Sequence, residues 1–77
     1  MENSAKQALE LIVNGDWEAA HTLVQDNNDQ LSCLIHAYLH RDEGDLGNAG
    51  YWYRRAGEDF PKNSLPEELE RLQNLAK

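Results

Sequence analysis

A chain of 77 residues can hold one small core and not a second. Its formal charge of −7 repels phosphate backbones and anionic lipid, so neither nucleic acid nor a membrane is expected as a partner. With 40% hydrophobic and 27% charged residues it has the profile of a folded soluble domain, and no apolar run approaches the roughly 20 residues of a membrane span.

The start, MENSAKQ, has no charged region leading into an apolar segment, so no secretory leader is read there. Cys33 is the single cysteine and cannot form an internal disulfide. Both features point to a reducing, cytoplasmic setting.

The first helix is expected from Ser4, where S-x-x-Q forms a capping box with Gln7, to Asn14-Gly15. Ala5, Ala8, Leu9, Ile12 and Val13 recur at three- and four-residue spacings and give it one apolar stripe. Asp16 caps a second helix with Trp17, Ala20, His21 and Val24 on one face, and Asp26-Asn27-Asn28 ends it. Asp29 caps the third, in which Leu31, Leu34, Ile35, Tyr38 and Leu39 form the cleanest stripe and which stops at Gly44. Asp45 caps the fourth, with Leu46, Ala49, Tyr53, Ala56 and Phe60 along one side and Pro61 just past its end. Ser64-Leu65-Pro66-Glu67 announces a fifth that carries Leu65, Leu69, Leu72 and Leu75 or Ala76, with Glu67 and Arg71 spaced to pair. No stretch alternates with period two, so no sheet is expected.

Gly15-Asp16-Trp17-Glu18-Ala19-Ala20 and Gly44-Asp45-Leu46-Gly47-Asn48-Ala49 match position by position. An alanine at the same place in each lets two antiparallel helices approach closely. Repetition of this kind marks stacked helical hairpins. The run from Gly44 to Pro61, with Ala49, Tyr53, Ala56 and the closing proline, resembles the second half of a tetratricopeptide repeat. Its Tyr-Trp-Tyr-Arg-Arg core is similar to that of the related Sel1-like repeats. The distance from Gly15 to Gly44 is shorter than the roughly 34 residues of a tetratricopeptide unit, and His40-Arg41-Asp42-Glu43 adds a polar turn to the third helix.

The expected fold is therefore all-α. It comprises one domain of two stacked antiparallel hairpins (about 4–26 and 29–60), TPR-like and right-handed superhelical, closed by a capping helix at about 65–76. The resemblance implies a non-enzymatic module that binds a protein or peptide partner. On the residues themselves, aromatic and arginine side chains together mark binding surfaces. The candidate surface comprises His36, His40, Arg41, Tyr51, Trp52, Arg54 and Arg55, suited to an acidic ligand held by arginine forks.

Two alternatives accompany that reading, a metal- or ligand-binding protein and a structural homodimer. His36 and His40 stand four apart on one helix, the spacing with which two imidazoles share a metal, and His21 on the neighbouring helix is a third ligand. No glutamate follows His36, so the HExxH motif is absent, and no metal or other cofactor is assigned at this stage. Cys33 one turn from His36 is read as a buried small side chain rather than a nucleophile. Asp42, Glu43 and Asp45 at the turn are read as one cap and two solvated carboxylates. A homodimer through the face of helices three and four is the remaining possibility.

Overall fold

Five helices make up the computed structural model, which describes residues 4–77: α1 (Ser4–Val13), α2 (Trp17–Val24), α3 (Gln30–Asp42), α4 (Leu46–Arg55) and α5 (Leu65–Leu75). Residues 1–3, on which part of the leader reading rests, lie outside it. There is no strand among the described residues.

One turn device is used twice to make a hairpin. At Gly15 and Gly44 the backbone takes φ of +81° and +87°, a region that glycine alone enters freely. The amide after each glycine reaches back across the helix end: Asp16 N–H donates to the Leu11 carbonyl and Asp45 N–H to the His40 carbonyl, both at 2.8 Å. The same two aspartates then start the next helix, their carboxylates accepting from Ala19 N–H and Asn48 N–H. Gly-Asp thus ends one helix and begins another within two residues. This is the physical content of the repeat seen in the sequence. Gly57, at φ +82°, ends α4 by the same reach-back, Glu58 N–H to the Tyr53 carbonyl at 3.0 Å.

The fourth helix is consequently shorter than its apolar spacing suggested. It stops at Arg55, and Phe60 lies beyond it, packed against the Tyr53 ring at 5.2 Å. Two other apolar positions also face water: Val13 at the end of α1 and Leu46 at the start of α4. Both sit on a hairpin turn, where the partner helix has already bent away.

The alanines behave as the packing argument requires. Ala20 and Ala49 are fully buried where α2 packs on α1 and α4 on α3. α3 is central: it packs against each of the other four helices, and every residue from Ser32 to His40 is buried. A helix buried on all sides is normally apolar all round. α3 instead carries His36 and His40 inside.

α5 lies on α3 and reaches α1. It meets α4 through polar chemistry. Glu68, completely buried, accepts from Tyr53 Oη (2.8 Å), Asn63 Nδ2 (2.9 Å) and Arg71 Nε (2.8 Å). Burial pushes its carboxyl up, but the hydrogen bonds from Arg71, Asn63 and Tyr53 outweigh this and hold it below the usual carboxylate range. Arg71 pairs with Glu68 and Glu58, not with Glu67 as the four-residue spacing suggested. Glu67 is engaged in the capping box with Ser64. Ala76 rather than Leu75 continues the buried stripe of α5. No helix among the described residues is long and apolar enough to cross a membrane.

Candidate functional site

α2 and α4 both flank α3 but do not pack against each other, and between them side chains of all three helices meet over the middle of α3. Three imidazoles meet there. His21 comes from α2, one turn after Trp17; His36 and His40 come from successive turns of α3. The Nε2 atoms of His21 and His36 are 3.0 Å apart, and one ring nitrogen from each of the three residues lies within 4.8 Å of the others.

Two indoles wall the cluster. Trp17 stacks on His21 with ring centres 4.9 Å apart, held by its Nε1–H donating to the Leu39 carbonyl at 2.8 Å. Trp52 stacks on His36 at 3.9 Å, and the Arg55 guanidinium lies over the same indole at 5.0 Å. His36 in turn stacks on His40 at 4.9 Å. Helical geometry explains the alignment, because Trp17 and His21, like His36 and His40, are four residues apart and so share a face.

The polar partners are unequal. His40 Nδ1–H donates to Glu43 Oε1 at 2.6 Å, which fixes its tautomer and leaves the lone pair on Nε2. His36 Nδ1 is buried and makes no hydrogen bond, an uncommon state for an interior polar atom. Burial, with His21 and His40 beside it, pushes the His36 pKa down to about 4, and burial followed by His40 lowers that of His21. At neutral pH both rings are uncharged, and in the hydrogen bond between their Nε2 atoms one donates its N–H while the other accepts.

Tetrahedral zinc with bonds of about 2.0–2.1 Å to imidazole sets its donors about 3.3 Å apart. The His21–His36 pair is already near that separation, and a ring nitrogen of His40 lies within 4.8 Å of both. A metal-bound histidine usually donates its other ring N–H to a carboxylate, the arrangement His40 makes with Glu43.

The remaining residues of the sequence-derived surface divide. Tyr51 extends the ring array, edge-on to Trp52 at 5.2 Å and accepting from Arg55 at 3.3 Å, while staying exposed. Arg54 is also exposed. Arg41 is committed elsewhere. It donates to the Asn63 side chain (2.9 Å) and carbonyl (2.6 Å) and lies over Phe60, tying the α4–α5 connection to α3. Cys33 is buried, its Sγ 3.9 Å from the Asn28 carbonyl, and burial pushes its thiol pKa up.

Trp17 and Glu43 belong to this site but not to the surface derived from the sequence. The signal for them was present in the spacing 36, 40, 43 on α3 and 17, 21 on α2. The fold and the cluster define a small all-helical domain in which three imidazoles converge, His36 and His40 buried and His21 partly so. No family model, curated protein or solved structure matches the chain.

Proposed function

We propose that this domain binds a divalent transition metal ion, of the zinc, nickel or copper kind, through His21, His36 and His40. The observation that carries the reading is the convergence of these imidazoles from two helices at near-ligand spacing, with Glu43 orienting His40 from behind. Imidazole nitrogen suits these metals, and helices fixed by a shared core hold ligands more accurately than loops do.

Equilibrium dialysis of the purified protein against zinc is expected to give one bound equivalent. His21→Ala and His36→Ala abolish it while the helical circular dichroism is kept, and Glu43→Gln weakens affinity about 10–100-fold. Sub-stoichiometric zinc, or full binding by His36→Ala, overturns the reading.

A second reading keeps the interaction module that the tetratricopeptide-like resemblance implies, with an acidic peptide as its ligand. It is favoured by the exposed side of α4, where Tyr51, Arg54 and Arg55 stand together. Its signature is loss of peptide binding in Arg54→Ala with zinc binding intact.

A further inference from the structure

Resting on the metal reading above, we infer that the fourth position on that ion is filled by a small exogenous anion arriving from the side of His21, the least buried of the three ligands.

The donor inventory leads there first. A four-coordinate ion held by three imidazoles needs one more ligand. The nearby groups are otherwise engaged. Glu43 is bound to Nδ1 of His40. Asp45 is exposed and caps α4, accepting from both the backbone and the side-chain nitrogen of Asn48. Cys33 points to the Asn28 carbonyl. Among the described residues the only sets of three or more metal-ligating side chains within reach of one another are the histidine triad and His40 with Glu43 and Asp45. The protein thus contributes three ligands, the pattern of centres that exchange a ligand with solvent rather than of closed structural sites.

Charge then selects the class of ligand. Three neutral imidazoles bring no negative charge to the ion itself, Glu43 acts only through the His40 ring, and the flanking indoles keep the surroundings poorly polar, so attraction for an anion is stronger there than in water. Space selects its size. Trp17 covers one face of His21 and Trp52 one face of His36, so approach is from the side of His21, the least buried of the three. A ligand of a few atoms fits this description: formate, bicarbonate, azide or hydroxide.

The test uses cobalt(II), which reports its coordination by visible absorption, with azide as the probe. The full chain loaded with cobalt is expected to show the intense bands of a four-coordinate centre and a saturable shift of those bands as azide is added. Bands that do not respond to azide overturn the anion proposal and leave the metal site standing. If no cobalt bands form, both fall. Asp45→Asn separates an internal fourth ligand from an external one. Unchanged cobalt bands and azide response in that variant support the proposal, and altered bands before azide is added refute it.

Discussion

His36 shows what a single buried side chain can impose on the molecule. Its folded pKa is depressed to about 4 by burial and by the neighbouring histidines, against an ordinary value of 6.5. Below the ordinary value the unfolded chain takes up a proton that the folded ring resists, so the unfolded state is favoured. Stability of the metal-free protein is therefore full above about pH 6.5 and declines as the pH falls toward 4, by on the order of 3 kcal/mol. Denaturant midpoints at neutral and acid pH measure this. His36→Phe, which keeps a ring on Trp52, is expected to lose that part of the acid slope. An equal slope in both proteins contradicts the assignment. The sequence made His36 and His40 visible as a spaced pair, yet their burial was not legible. It depends on α3 being enclosed by four other helices, and no local pattern within α3 announces that.

At the scale of the element, the glycines separate two effects that are usually mixed. Gly44 sits at φ +87° with open space where a Cβ would stand, so Gly44→Ala costs about 1 kcal/mol through backbone strain alone. Gly47, also with open space around it, lies inside α4 at an ordinary φ, and Gly47→Ala stabilises by about 0.5–1 kcal/mol. Thermal melts of the two variants should move in opposite directions, and a shift of the same sign would refute this account of the turn. These elements were largely readable in advance, because caps and breakers are local: Asp16, Asp29, Asp45 and Ser64 all accept the expected backbone hydrogen bonds. The apolar spacing places the end of α4 too late because Phe60 continues, beyond Gly57, the stripe that Tyr53 and Ala56 carry up to it. The reach-back hydrogen bond that stops the helix has no apolar signature.

For the whole molecule, closure depends on α5, and α5 depends on Glu68. Removing that carboxylate by Glu68→Ala leaves the Tyr53 hydroxyl and the Asn63 amide without their acceptor and takes from Arg71 its less exposed partner. The expected loss is about 2–4 kcal/mol, read from the chemical denaturation midpoint. A loss below about 1 kcal/mol would mean that apolar contact alone seats the helix. The sequence pointed to a fifth helix covering the hairpins. It could not indicate that this helix would lie on α3 and α1, because the anchoring acid lies among several other exposed-looking glutamates.

The chain has two tryptophans, and each lies flat on an imidazole of the cluster. Stacked histidine quenches indole emission more strongly once it is protonated, and a coordinated paramagnetic ion quenches it further. The protein therefore carries its own optical gauge, in which Trp17→Phe and Trp52→Phe would each silence one side and leave the other to report which imidazole has changed state.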